Sequence, residues 1–176
     1  MHIQILKKYH FIDNFDHNKL KNFTRDICLI WRSKHSQCDV KLISKTAQFC
    51  KKRRIKFFLS NDFKLAIKLN VDGVYLSAYN KEFRSNCYSL KKKFKIIGSA
   101  HDLKEIKTKK NQKVKEIFIS PIFKNNKRKA LGIYKSNYLL RSFRGKKIAL
   151  GGINKKNMKL LKLVKFDGFA GIDYFN

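Results

Sequence analysis

The chain has 176 residues, of which 43% are hydrophobic and 13% aromatic, with a formal net charge of +30. That length suits one domain, and the apolar content excludes an intrinsically disordered chain; 8 Gly and 1 Pro exclude a collagen-like or linker-like one. No apolar run approaches the roughly 20 residues that span a bilayer. The start, MHIQILKKYHFIDNFD, lacks the apolar stretch and small-residue cleavage site of a signal peptide, so the expected setting is the cytoplasm, with no membrane attachment.

Eight short, β-prone, nearly continuous apolar runs recur along the chain. They are YHFI at 9–12, ICLIW at 27–31, KFFL at 56–59, GVYL at 73–76, KIIG at 95–98, EIFI at 116–119, IAL at 148–150 and GFA at 168–170. Such runs are expected of parallel strands covered on both faces. Helical spacing lies between them: Val40, Leu42, Ile43, Ala47, Phe49 and Cys50; then Phe63, Leu65, Ala66 and Leu69; then Met158, Leu160, Leu161 and Val164. Alternating strand and helix signals imply βα units. Eight units predict an α/β fold, a small (β/α)8 TIM barrel spanning 1–176 as a single domain. A doubly wound open sheet is the alternative. It would more often show a glycine-rich turn after the first strand, where this chain has Asp13-Asn14-Phe15-Asp16.

The eighth strand ends near Asp173 and the sequence at Asn176, so the eighth helix is expected to be missing or vestigial. Phe169, Tyr174 and Phe175 would then be partly bare. Either residues 1–6 or a second subunit should cover them, and a homo-oligomer is favoured because six residues hardly replace a three-turn helix.

Of the 42 basic residues, eight are Arg. The Lys are spread along the chain rather than gathered in one arm. Solvated charge and a phosphorylated small-molecule partner are therefore expected ahead of nucleic acid, which stays as an alternative resting on charge alone. Cysteines at 28, 38, 50 and 87 form no C-x-x-C pair and read as reduced thiols.

In a barrel, chemistry collects on the loops that follow the strands. Arg32 and Lys34 alternate there and could hold an anionic group with a forked donor and a point charge. Asp62, beside Asn61, could offer an oxygen to Mg²⁺ or cap the next helix. His101 follows Ser99 and could transfer protons near neutrality. Gly151-Gly152 could let backbone amides approach a phosphate.

This order of segments resembles a family. Asn61-Asp62, Asp72-Gly73-Val74-Tyr75-Leu76, Ser99-Ala100-His101, Ser120-Pro121-Ile122-Phe123, Ala149-Leu150-Gly151-Gly152-Ile153 and Asp167-Gly168-Phe169-Ala170 are similar to thiamine-phosphate synthase and its thiazole tautomerase (TenI-like) relatives. The resemblance implies a barrel enzyme of thiamine biosynthesis. Such an enzyme joins hydroxymethylpyrimidine diphosphate to thiazole phosphate and releases pyrophosphate with Mg²⁺. It also implies roles. Arg32, Lys34, Asn61, Lys127 or Arg128, Gly151 and Gly152 would bind the phosphorylated pyrimidine and thiazole. Asp62 and Asn80 would hold the metal, weakly without diphosphate, and Ser99 and His101 would be catalytic. Three positions depart from the pattern: Ile30 stands where Gln is expected, Asn80 for a second metal carboxylate, and Asp173 for a phosphate-binding Ser. These departures leave a tautomerase-like isomerase, or a barrel that has lost catalysis and acts as a binding protein, as alternatives.

Overall fold

The computed structural model describes residues 6–33, 39–83, 87–124, 129–171 and 174. Eight parallel strands follow one another around a closed barrel. They are β1 (Lys7–Ile12), β2 (Ile27–Trp31), β3 (Lys56–Ser60), β4 (Gly73–Leu76), β5 (Lys95–Ala100), β6 (Glu116–Ile119), β7 (Lys146–Leu150) and β8 (Gly168–Gly171). β1 closes on β8 with Lys8 opposite Phe169. Outside lie α1 (His17–Leu20), α2 (Val40–Arg53), α3 (Phe63–Lys68), α4 (Leu103–Asn111) and α5 (Gly132–Arg141). The small α/β barrel expected from the sequence is the fold observed.

Alternation along each strand sends one set of side chains inward and the other outward. The inner set includes Tyr9, Phe11, Ile30, Phe58, Tyr75, Ile97, Phe118 and Ile148, all buried together. Their rings meet across the barrel: Tyr9 lies edge-on to Phe118 at 4.9 Å, and Phe11 to Tyr75 at 5.3 Å. The barrel is therefore a packed core, not a channel. The outer set packs under the helices, with Leu29, Phe57, Val74, Ile117 and Ala149 against Ile43, Ala66, Ile106 and Leu139.

Two connections depart from regular βα units. The spacing at Met158–Leu163 that reads as α-helical folds as a 3-10 helix, the tighter form common in short connectors. No α-helix forms among the described residues between β4 and β5. That connection is tied to α4 by a buried lysine instead. Lys109 donates to the Asn80 carbonyl at 2.7 Å and to Gln112 Oε1 at 2.9 Å. Gln112 Nε2 in turn donates to the Glu82 carbonyl at 2.8 Å. No helix follows β8 among the described residues, yet Phe169 is fully buried rather than bare. It belongs to the outer core, and Tyr174 lies edge-on to it at 4.6 Å. Phe175 and residues 1–5 lie outside the described residues.

The N-terminal end of the barrel is closed by charge. Lys7, Lys56, Lys95 and Lys146 are the first residues of the four odd-numbered strands. Each stands two positions before an inward residue, so each belongs to the inner face. Glu116, only 2% exposed, is the carboxylate among them. It accepts from Lys7 Nζ at 2.7 Å, from Lys95 Nζ at 3.3 Å and from the Tyr9 hydroxyl. Burial works to raise the Glu116 carboxyl, but the hydrogen bonds from Lys7 and Tyr9 and the charges of Lys7 and Lys95 outweigh it and hold it below its ordinary value. Burial pulls the Lys7 ammonium down against the pull of Glu116, and the 2.7 Å contact keeps both groups charged.

Glu116→Ala is expected to destabilise the protein by about 3–5 kcal/mol in urea titration, because it strands the largely buried Lys7 ammonium and the buried Tyr9 hydroxyl. Because its folded-state carboxyl titrates below 4.5, the Glu116 contribution is complete above that pH and is lost as pH falls through the folded value. The gap between wild type and variant should therefore shrink on acidification.

Candidate functional site at the C-terminal mouth of the barrel

The mouth is built by continuing the inward alternation one step past the core. Two residues beyond Phe58, Tyr75, Ile97 and Phe118 stand Ser60, Ser77, Ser99 and Ser120. Half the rim is thus lined by hydroxyls. Arg32 occupies the same step after Ile30, and its guanidinium lies 6.0 Å from the Phe11 ring centroid. Tyr75 is the floor. Its hydroxyl hydrogen-bonds Ser99, and burial pushes it up to about 12 against the opposing influence of Ser99 and Arg32. Arg32, Tyr75 and Ser99 therefore meet over the aromatic core. Tyr75 was not singled out as a site residue from the sequence; the signal available was its inward register in GVYL, directly below Ser77.

His101 continues β5 at the rim. Its Nδ1 lies 2.9 Å from Glu105 Oε2, and the same oxygen accepts from the His101 amide at 2.6 Å. Asp102 caps α4 by accepting from the Glu105 amide at 2.8 Å. The carboxylate thus fixes the ring and leaves Nε2 as its other nitrogen. Glu105 is a positioning residue that the sequence reading did not name. An acid three residues after an N-cap reads first as a capping box.

The Asn61-Asp62 pair divides its work. Asn61 has φ +59°, which Asn tolerates better than most residues. Its Oδ1 accepts from the Ser77 amide at 3.0 Å, while Nδ2 donates to Ser77 Oγ at 2.9 Å and reaches the Tyr79 hydroxyl at 3.3 Å. Asn61 thereby clamps the β3 loop to the β4 loop. Asp62 caps α3, with Oδ1 accepting from the Leu65 amide at 2.9 Å. Asn80 is turned toward α4, where its Oδ1 accepts from Gln112 Nε2 and from the Glu82 amide, both at 3.1 Å. No cluster of three His, Cys, Asp or Glu fit to hold a metal exists among the described residues.

Gly151 and Gly152 adopt φ +92° and +67°. A Cβ on Gly151 would lie 2.8 Å from Pro121 Cα, and one on Gly152 would lie 2.6 Å from the Lys124 carbonyl oxygen. The β7 loop presses against the β6 loop, and the Ile122 and Phe123 amides donate to the Leu150 and Gly151 carbonyls at 2.9 and 3.1 Å. Both glycines are needed for that contact. Lys34, Lys127, Arg128 and Asp173 lie outside the described residues.

A closed (β/α)8 barrel with Arg32, Ser99 and His101 at its C-terminal mouth defines the class. Residues 27–175 match the family model described as thiamine monophosphate synthase, and the chain belongs to that family. Its fold is similar to thiamine phosphate pyrophosphorylase from Pyrococcus furiosus, with TM-score 0.77 at 20% identity, covering 98% of this chain and 91% of that one. It is also similar to thiamine phosphate pyrophosphorylase from Bacteroides thetaiotaomicron, with TM-score 0.65 at 19% identity, covering 96% and 83%. A structure described as native KDPGal gives TM-score 0.69 at 10% identity, covering 94% and 82%. No match was found among curated proteins. No helix among the described residues is long and apolar enough to cross a membrane.

The Lys109 tie that carries Asn80 is testable by pH. Burial lowers the Lys109 ammonium to about 8 from 10.5. The folded state then releases its proton before the unfolded state does, so stability rises with pH between those values. Relative to Lys109→Met, wild type should gain melting temperature from pH 8 toward pH 10.5. A constant difference across that window would show that no buried ammonium is being neutralised.

Proposed function

We propose that this protein joins hydroxymethylpyrimidine diphosphate to thiazole phosphate, giving thiamine phosphate and pyrophosphate. The observation that carries the reading is Arg32 at the mouth beside Tyr75 and Ser99, in a chain of the thiamine monophosphate synthase family. The bond from the pyrimidine methylene to the diphosphate oxygen breaks, and pyrophosphate leaves with the electron pair. The thiazole nitrogen lone pair then forms the new C–N bond. Arg32, with Lys34, meets the charge that grows on the departing diphosphate. Ser99 orients the pyrimidine side through the hydroxyl it shares with Tyr75. Lys127 or Arg128 and the Gly151-Gly152 turn receive the thiazole phosphate.

Magnesium fits this site in one way. Asp62 is the carboxylate at the loop, and one of its oxygens caps α3, while Asn80 spends its carbonyl on Gln112 and Glu82. Asp62 would hold Mg²⁺ through its second oxygen, with most ligands supplied by diphosphate and water. The ion would neutralise leaving-group charge. Both substrates are soluble phosphate esters, in keeping with a cytoplasmic enzyme.

A second reading is favoured by the His101–Glu105 pair. An oriented imidazole at the rim suits acid–base isomerisation of a thiazole carboxylate phosphate. One experiment separates the two. The protein is incubated with pyrimidine diphosphate, thiazole phosphate and Mg²⁺, and thiamine phosphate is followed by fluorescence after oxidation. Turnover that falls about 100-fold in Arg32→Ala is expected, the size seen when one preorganised donor is removed. Glu105→Gln should change that rate by less than about 10-fold if proton transfer is not limiting. No product with both substrates saturating, alongside tautomerisation abolished in His101→Ala, would replace the first reading by the second.

A further inference from the structure

In a barrel of parallel strands, every connection from a helix back to the next strand reaches the same end. Here those connections read KKRRIK at 51–56, KKKFK at 91–95, KVK at 113–115 and RGKK at 144–147. These four basic clusters look dispersed along the chain, and the return from α3 to β4, Leu69-Asn70-Val71-Asp72, carries none. The fold gathers all of them around the N-terminal face of the barrel.

Acidic side chains on those connections are already occupied. Asp26 pairs with Lys8 at 2.7 Å, Asp72 accepts from the Phe57 amide, Asp167 accepts from the Lys147 amide, and Glu116 is buried under Lys7 and Lys95. The helix caps Asp16, Asp39, Asp62 and Asp102 all stand at the other end. Acids favour helix N-termini and cations favour C-termini, and this preference sorts part of the charge by end. It does not account for the lysines that open the odd strands. Lys56 and Lys146 are exposed, and neither has an ion pair among the described residues.

The face also has crevices. A cavity of about 540 Å³ lies between the ends of α2 and α3, lined by Lys51, Arg54, Lys56 and Lys68. Another of about 600 Å³ lies between the ends of α4 and α5, lined by Lys110, Lys113, Lys115, Arg141 and Arg144. The exposed large apolar residues Val40, Ile67, Tyr79, Phe83, Leu103, Tyr134, Tyr138, Leu160 and Leu163 lie off these connections. The apolar side chains that reach this end are few, among them Ile67 and Leu163, exposed in the last turns of α3 and the 3-10 helix, and the half-buried Phe94.

We propose that the N-terminal end of the barrel binds the phosphate backbone of nucleic acid without reading its sequence. Cations spread around a rim of helix ends match a run of phosphates, and contacts of this kind are salt-dependent and sequence-independent. Lysines spread along the sequence are brought to one end by the closed barrel, which is what favours a run of phosphates over a single one. The inference does not depend on the reaction at the opposite mouth.

The test is fluorescence anisotropy with labelled mixed-sequence duplex DNA and single-stranded RNA, with phosphatidylserine vesicles as a separate sedimentation arm. Binding in the micromolar range at about 100 mM salt is expected, falling steeply as salt rises. The exposed residues Lys52, Lys93 and Arg144 lie on the face, whereas the equally exposed Lys41, Lys64 and Lys104 lie in first helical turns at the other end. Reversing the first three to Glu should weaken binding at least about 10-fold, and reversing the second three less than about 3-fold. Circular dichroism checks that both sets fold. Protection of the face lysines from acetylation by bound RNA in the wild-type protein reads the same surface without substitution. Equal loss in both sets, absence of binding at about 100 mM salt, or binding to vesicles alone would overturn the proposal.

Discussion

Glu116 is one buried carboxylate in a molecule with a formal net charge of +30. The inner face of the barrel begins with four lysines, of which Lys7 and Lys95 converge on Glu116 while Lys56 and Lys146 stay exposed. Glu116 meets two of them directly and takes the Tyr9 hydroxyl as well. Tyr9 is also the first ring of the aromatic stack, touching Phe58 and Phe118. The ionic plug and the apolar core are therefore one structure. Ion pairs in such places rarely add net stability over an apolar filling, but removing one partner is costly. What the plug adds is a defined end to the barrel.

Above that plug the interior follows one rule, alternation by two. Lys, aromatic or aliphatic, then Ser succeed each other up β3 and β5 as Lys56, Phe58, Ser60 and Lys95, Ile97, Ser99. The same step places Tyr75 under Ser77 and Phe118 under Ser120. The mouth is polar because the strands outlast the apolar core by one inward position. A side chain such as Arg32 can reach inward only because the position below it, Ile30, is already packed. The floor and walls of the site are thus consequences of core packing, and only the rim is free to vary.

The strands were legible because parallel strands buried on both faces read as unbroken apolar runs, and each of the eight runs lies within or overlaps an observed strand. The 3-10 segment was not, since Met158, Leu160 and Leu161 fit either helical period over so short a span. Side-chain direction was the harder matter. Asn61 and Asn80 are each satisfied by neighbours from distant segments, Ser77 and Gln112, that no local pattern pairs with them. Glu105 was hidden by its plausibility as a cap. The gathering of four basic connections at one end was invisible for a different reason: they are far apart in sequence and become neighbours only when the barrel closes.

That gathering follows from the barrel itself. A repeating βα unit sends every helix start to one end and every strand start to the other, so any bias tied to position within the unit is multiplied around the ring. Acids drawn to helix N-termini, where they cap Leu42, Leu65 and Glu105 amides, moderate the positive charge around the C-terminal mouth. Cations drawn to helix C-termini accumulate where Asp26, Asp72 and Asp167 are already tied to neighbours. The opposite face holds its excess in the open, screened only by solvent ions. On the proposed readings a small phosphate ester would meet the first environment and a chain of phosphates the second, with no residue shared between them.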